Sequence, residues 1–241
     1  MEIIDLFQRK KKQLAILIDP DKQDTEQLIH IAKTSKENGV DFLFVGGSLM
    51  TSDDLNSGIK TLKEYCDLPV ILFPGSTYQI SRHADAILFL SLISSRNPEA
   101  LIGMHVIGAP YIKLAGLKTI ATGYMLIDSG KPTSVTYMSN SFPIPYDKND
   151  IAACTAMAGE MLGHRLIFMD AGSGAEKAIS EEMISFVKQS IDVPLVIGGG
   201  IRTPEKLRSV FAAGADIAVV GNVFENSPEL IAEFAKVSSE F

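Results

Sequence analysis

The chain has 241 residues, 46% hydrophobic and 21% charged, with a formal net charge of −7. That length is typical of one α/β barrel, so a single domain over residues 1–241 is expected. The acidic balance argues against a nucleic-acid binder, which carries a basic footprint, and leaves anionic ligands to backbone dipoles, a few cations or a metal.

The basic run Arg9-Lys-Lys-Lys12 interrupts the opening segment before any long apolar stretch. No run of about 18 apolar residues follows, so neither a leader nor a stable membrane insertion is expected, and a cytoplasmic location is. A strand over Leu14–Ile18 comes first, then a helix over Thr25–Asn38 that Asp24 caps and Gly39 stops. Strand Phe42–Val45 and helix Asp53–Tyr65 make the second unit, and strand Val70–Phe73 begins the third. Only Pro74–Asp85 separates it from strand Ala86–Leu90. A crossover helix hardly fits in so short a Pro- and Gly-containing connection. The gap it leaves in the helical ring is where a long apolar ligand is expected.

Helix Pro98–Leu114 leads to strand Thr119–Ile127. The segment Asp128–Asp147 then reads as a long loop, either a surface excursion or a lid or interface on the face that carries barrel active sites. Helix Lys148–Met161, strand Leu166–Met169, helix Glu181–Gln189 and strand Leu195–Ile197 follow. Thr203-Pro204 opens helix Pro204–Ala213, Gly214 closes it, and strand Ile217–Val220 and helix Pro228–Val237 finish the chain. The strands are near-continuous apolar runs, as parallel strands covered by helices should be. The expected fold is α/β, a modified (β/α)₈ TIM barrel with a loop in place of the helix between strands 3 and 4. Cys66 and Cys154 have no metal spacing and are expected as reduced, buried thiols.

The last three strands end in Asp170-Ala-Gly-Ser-Gly174, Gly198-Gly-Gly200 and Gly221-Asn222. Glycines at consecutive strand ends let N–H groups converge on one anion, and a phosphate usually sits there in such barrels. The Ser173 hydroxyl and the N–H groups of Gly172 and Gly174 are the expected donors. Asp170, beside that phosphate, suits a general base for a neighbouring hydroxyl; capping a helix is the competing role. Strand 1 ends in Asp19-Pro20-Asp21-Lys22, where carboxylates can bind Mg²⁺ or simply cap the next helix, and where Lys22 is a phosphate contact or a solvated cation. Strand 2 ends in Gly46-Gly47-Ser48, whose hydroxyl can join a metal shell, and strand 3 in the turn Pro74-Gly75-Ser76. No two of His30, His83, His105 and His164 share metal-ligand spacing, and surface or packed roles are expected for all four. Lysines near strand ends are sparse, against a Schiff-base aldolase.

These segments, with Thr122-Gly-Tyr124, Asn97-Pro-Glu-Ala-Leu-Ile-Gly103 and Pro143-Ile-Pro145, resemble the geranylgeranylglyceryl phosphate synthase family and its heptaprenylglyceryl phosphate synthase relatives over nearly the whole chain. The resemblance implies a barrel lacking one helix and a Mg²⁺-dependent prenyltransferase. Its reaction joins a polyprenyl diphosphate, geranylgeranyl diphosphate foremost, to the 3-hydroxyl of sn-glycerol 1-phosphate, giving an ether-lipid precursor. It implies Asp19 and Ser48 as the metal positions, with Asp19 and Asp170 catalytic. It implies a glycerol phosphate cradle of Phe168, Met169, Asp170, Ala171, Gly172, Ser173, Gly174, Gly199, Gly200, Gly221 and Asn222. A homo-oligomer is expected, with no nucleic-acid partner and at most transient membrane contact. Asp170 stands where the family usually has glutamate, and Phe168 where it usually has tyrosine, so the base is one methylene shorter and one phenol is missing. Other phosphate-binding barrels of sugar-phosphate metabolism, and a glycerol-phosphate-sensing barrel that regulates RNA, are the rival readings.

Overall fold

The structure, a computed structural model, describes residues 3–8 and 11–241; Arg9 and Lys10 of the basic run lie outside them. Among the described residues, eight parallel strands close into one barrel in sequence order. They are β1 (Gln13–Ile18), β2 (Phe42–Val45), β3 (Val70–Leu72), β4 (Ala86–Leu92), β5 (Lys118–Leu126), β6 (Leu166–Asp170), β7 (Leu195–Gly198) and β8 (Ile217–Val220). β8 pairs with β1 through the register Gln13↔Ile217 to Ile16↔Val220, which completes the closure.

Period-2 alternation divides the apolar side chains between two layers. Phe42, Phe44, Tyr124, Leu166, Phe168 and Val219 pack inside the barrel, whereas Leu43, Met125, Ile167, Met169 and Ala218 pack outward under the helices. Leu126 and Asp170 are register partners, one layer above Tyr124 and Phe168. The short helix α1 (Ile3–Phe7) adds Ile4 and Phe7 to the inner cluster, with the Phe7 ring stacked 4.6 Å from Phe42. That plug closes the end of the barrel opposite the strands' C-termini. Acids at the start of later strands secure the same end. Asp41 accepts from the Leu14 amide at 3.1 Å, Asp85 from Val70 at 2.8 Å and Asp216 from Leu195 at 2.8 Å.

The outer layer is α2 (Thr25–Glu37), α3 (Leu55–Tyr65), α4 (Met104–Ala115), α5 (Ser134–Ser139), α6 (Asn149–Met161), α7 (Glu181–Lys188), α8 (Pro204–Ala212), α9 (Asn222–Asn226) and α10 (Ile231–Ser238). α2 begins with a complete capping box between Asp24 and Gln27, and Thr203 caps α8 through the Lys206 amide. No helix lies between β3 and β4. The helix predicted from Pro98 starts as a π-helical turn over Glu99–Gly103 before α4. The predicted long loop contains α5 and rejoins the sheet by a bridge between Ile127 and Ile144. Cys66 is buried as expected, but Cys154 is exposed. The packed face of α6 carries Ala152, Ala153, Ala156 and Gly159, which turns position 154 toward solvent. None of the helices among the described residues is long and apolar enough to cross a membrane.

Candidate active site

The strands' C-terminal ends open into a cavity of about 510 Å³ bordered by every sequence motif at those ends. Its floor is aromatic. The Phe73 and Phe168 rings stack at 5.2 Å, and Tyr124 stands edge-on to both, 5.7 Å from Phe73 and 5.5 Å from Phe168.

Asp170 rises from this floor. Its Oδ2 accepts the Tyr124 hydroxyl at 2.6 Å and its Oδ1 accepts the Gly172 amide at 2.7 Å. Burial pushes the Asp170 carboxyl above its ordinary pKa, while those two donors pull it back without cancelling the shift. Burial, reinforced by the neighbouring Asp170 charge, raises Tyr124 well above its ordinary range, so the phenol stays protonated. Asp170 thus receives a phenol donor from Tyr124 on the adjacent strand. A buried carboxylate with raised proton affinity, fixed by two donors, is equipped to take a proton from a hydroxyl above it.

The predicted cradle residues divide into two groups. Phe168, Asp170, Ser173, Gly174, Gly199, Gly200, Gly221 and Asn222 line the cavity. Met169 does not; it faces the outer core, because it alternates with Phe168 and Asp170. The Ala171 amide donates to the Gly198 carbonyl at 3.0 Å, and the Gly172 amide, expected to face the phosphate, serves Asp170 instead. Gly199 and Gly200 have φ of +81° and +72°; a Cβ on Gly199 would lie 2.7 Å from the Gly172 amide nitrogen. The backbone there is both left-handed and in close approach, so only glycine keeps it unobstructed. The Arg202 guanidinium donates to the Ala175 carbonyl at 2.5 Å, tying the β6 and β7 loops together beside the cradle. Ser173 donates to Asn222 Oδ1 at 3.0 Å, which links the β6 loop to the end of β8.

Across the mouth, Asp19 takes the capping role that was one of its two predicted readings. Its Oδ1 accepts from the Asp21 amide at 3.4 Å as the cap of the turn Pro20–Lys22, and its Oδ2 lies 3.3 Å from Lys22 Nζ. The carboxylate lies over the β2 loop so closely that a Cβ on Gly47 would sit 3.0 Å from Oδ2, next to Ser48. Asp21 is committed elsewhere: it accepts the Ser52 hydroxyl at 2.7 Å, the Thr51 hydroxyl at 3.2 Å and the amides of both. Those donors lower its pKa against a raising effect of burial. Burial works against the charge of Lys22, but Glu225 and Asp19 outweigh it and raise the ammonium's pKa. Among the described residues no three His, Cys, Asp or Glu side chains converge as a metal cage. One carboxylate beside one hydroxyl at an open rim is nevertheless a donor set that fits Mg²⁺, which keeps its waters and takes substrate phosphate oxygens.

The loop that replaces a helix after β3 is held by Gln79, which is buried. Its Nε2 donates to the Gly47 carbonyl at 2.7 Å, and its Oε1 accepts from the amides of Gly47 and Gly75, both at 3.2 Å. Beneath that loop runs an apolar groove of about 130 Å³, walled by Thr77, Ile80, Ile87, Phe89, Gly108 and Ile112. It shares Pro74, Ser76, Leu90, Met104, Tyr124 and Val135 with the mouth cavity, so the two are continuous. His105 also faces the groove and meets the Phe89 ring edge-on at 4.6 Å. From α5, Val135 and Met138 close one side of the mouth, which makes the excursion after β5 part of its wall. Tyr124 and Phe73 stood in sequence motifs without a predicted role, and Gln79 and Glu225 carry no sequence signal, because the partners of all four are distant in the chain.

The model of the PcrB family matches residues 7–238. The chain belongs to that family. It is 53% identical over 232 residues to a geranylgeranylglyceryl phosphate synthase of Chitinophaga pinensis, covering 96% of this chain and 92% of that one. A geranylgeranylglyceryl phosphate synthase of Methanothermobacter marburgensis is 44% identical over 92% of this chain and 90% of its own. The crystal structure of (S)-3-O-geranylgeranylglyceryl phosphate synthase from Thermoplasma acidophilum in complex with sn-glycerol-1-phosphate superposes with a TM-score of 0.94. It shares 34% identity and covers 100% of both chains. This family member is accordingly a prenyltransferase of the geranylgeranylglyceryl phosphate synthase type, built on a TIM barrel.

Proposed function

We propose that this enzyme transfers a polyprenyl group, geranylgeranyl foremost, from its diphosphate to the 3-hydroxyl of sn-glycerol 1-phosphate in a Mg²⁺-dependent reaction. The observation that carries this reading is the position of Asp170: a buried, doubly anchored carboxylate between a glycine-lined anion cradle and an apolar groove. In this reading Ser173, Gly174, Gly199, Gly200, Gly221 and Asn222 hold the phosphate of the acceptor and aim its 3-hydroxyl at Asp170. The prenyl chain lies in the groove under the β3–β4 loop, where burial contributes about 0.8 kcal/mol per CH₂.

The hydroxyl oxygen forms a bond to the allylic carbon as that carbon's bond to the diphosphate oxygen breaks. The electron pair leaves on the diphosphate, and the hydroxyl proton passes to Asp170. Asp19 and Ser48 would hold Mg²⁺, whose charge stabilises the departing diphosphate. The phenol of Tyr124 holds Asp170 in place during the transfer, and the Phe73, Tyr124 and Phe168 rings exclude water from beneath it. Holding both reactants in this way can supply up to about 7–11 kcal/mol of the barrier reduction.

The same proposal has the enzyme working in the cytoplasm as a homo-oligomer, with transient membrane contact for release of its lipid product. Exposed Val106, Ile107, Tyr111 and Leu114 on α4 support self-association. Light scattering on the purified protein measures that directly, and a monomer at working concentration would contradict it. The activity is tested by incubating the protein with radiolabelled sn-glycerol 1-phosphate, Mg²⁺ and prenyl diphosphates of graded length. Label should enter the organic phase for a preferred length and cease to do so with EDTA or Asp19→Asn. Acceptor binding without transfer at any length would sink the proposal.

A further inference from the structure

Glu225 lies on α9, outside every motif at the strand ends, yet it joins the two halves of the site. Its Oε1 is 3.3 Å from Lys22 Nζ and accepts from Asn222 Nδ2 at 3.4 Å. Lys22 Nζ is equally 3.3 Å from Asp19 Oδ2, and Asn222 Oδ1 accepts the Ser173 hydroxyl. One chain of contacts therefore runs Asp19–Lys22–Glu225–Asn222–Ser173, from the carboxylate read as the metal ligand to the hydroxyl read as a phosphate donor.

The spacing within this chain is informative. Where a lysine meets a partly buried carboxylate as its nearest cation, the pair closes: Lys63–Asp85 and Lys11–Asp41 at 2.6 Å, and Lys188–Asp216 at 2.7 Å with Lys12 left at 4.0 Å. The exposed pairs Lys36–Asp67 and Lys148–Asp147 stay at 3.2 and 3.9 Å. Lys22 instead stands at the same longer distance from two carboxylates. An ammonium and a divalent cation compete for one carboxylate, so a lysine closed on Asp19 would oppose metal binding, whereas a shared one yields.

We propose that Glu225 is a positioning residue that draws the Lys22 ammonium off Asp19, leaving the carboxylate available to the metal and the ammonium free to turn toward the diphosphate. The proposal rests on the reading of Asp19 as the metal carboxylate given above. Without Glu225, Lys22 has a single acceptor and closes on it. Glutamine at 225 keeps an oxygen for Asn222 Nδ2 while removing the charge that attracts Lys22, which separates the two contacts.

The test is a double-mutant cycle on binding of Mn²⁺ alone, followed by the EPR signal of the free ion, with no substrate and no turnover. Wild type, Glu225→Gln, Lys22→Met and the double variant are compared, with thermal melts to verify that each is folded. Glu225→Gln should weaken Mn²⁺ binding roughly three- to tenfold in the wild-type background and by less than about twofold when Lys22 is Met. Lys22→Met alone should tighten it. Equal losses in both backgrounds would mean that Glu225 acts only through its charge at a distance, and no loss in either would mean that it does not act; each overturns the inference while leaving the metal reading intact. A wild type that binds Mn²⁺ no better than Asp19→Asn would remove the metal reading and the inference with it.

Discussion

Tyr124→Phe removes a single oxygen, and its consequences follow from the environment of Asp170. The phenol is 2.6 Å from Asp170 Oδ2 and both groups are buried, so water does not replace the lost donor. A hydrogen bond to a charged group contributes about 1.5–3 kcal/mol, and in a buried site the deletion leaves the carboxylate with only the Gly172 amide. Because the deleted bond stabilises the ionised base, the same free energy corresponds to a roughly ten- to hundredfold smaller ionised fraction below the shifted acid limb, and to that loss in kcat/KM in acid buffer. The pH dependence carries a sign. Asp170 is already raised above its unfolded value, so the native state holds this proton more tightly than the unfolded chain. Stability contributed by that proton is present at low pH and is lost as pH rises through the window between the two values. Tyr124→Phe raises Asp170 further. The acid limb of the kcat/KM profile should move to higher pH, and the loss in thermal midpoint should be largest in neutral buffer and shrink in acid. A variant with wild-type rate and an unmoved acid limb, or with the same midpoint loss at every pH, would refute the reasoning.

Asp170→Asn should lower transfer by roughly 10²–10⁴, the usual contribution of a general base, while leaving the thermal midpoint in neutral buffer at or above that of wild type, because it removes a buried charge. Gly199→Ala introduces a Cβ at positive φ and 2.7 Å from the Gly172 amide nitrogen, so calorimetry should show binding of sn-glycerol 1-phosphate reduced at least tenfold; unchanged affinity would remove Gly199 from the cradle. A Cβ on Gly108 meets Thr77, Ile80 and Ile112 at 3.8–3.9 Å, an ordinary contact, so Gly108→Ala should retain activity. Gly108→Leu fills the groove and should shift the preferred prenyl diphosphate to a shorter one; identical product lengths for both variants would exclude this groove as the prenyl site.

Much of the barrel was legible because parallel strands leave a near-continuous apolar signature between punctuating residues. Phe42–Val45 and Ile217–Val220 occupy the spans predicted for them. The short Pro74–Asp85 connection gave away the missing helix through length alone. The elements that escaped notice are short: α1 in front of the basic run, α5 inside a Pro- and Ser-containing loop, and α9 directly behind β8. Five or six residues carry too little periodicity to be read, and α1 is helical because Ile4 and Phe7 fill the barrel floor.

The candidate site was legible where a strand end and a residue type coincide, as at Asp19, Asp170 and the glycine runs, all of which border the mouth cavity. It was hidden where a side chain answers a partner far along the chain. Tyr124 is 46 residues from Asp170, Gln79 is 32 from Gly47 and Glu225 is 203 from Lys22. Barrel closure brings these together, and no local pattern announces them. The assignment of the Gly172 amide went astray for a related reason. An aspartate two residues before a glycine can accept that glycine's amide itself, and in the turn after β6 it does so at 2.7 Å.

The central claim is that Asp170 takes the proton of the acceptor hydroxyl, and a crystal structure of this chain with sn-glycerol 1-phosphate tests it most directly. The phosphate should lie against Ser173, Gly174, Gly199 and Gly200, with the 3-hydroxyl oxygen about 2.6–3.2 Å from an Asp170 carboxylate oxygen. A phosphate bound in that cradle with its 3-hydroxyl turned away from Asp170 and engaged by another base would contradict the account.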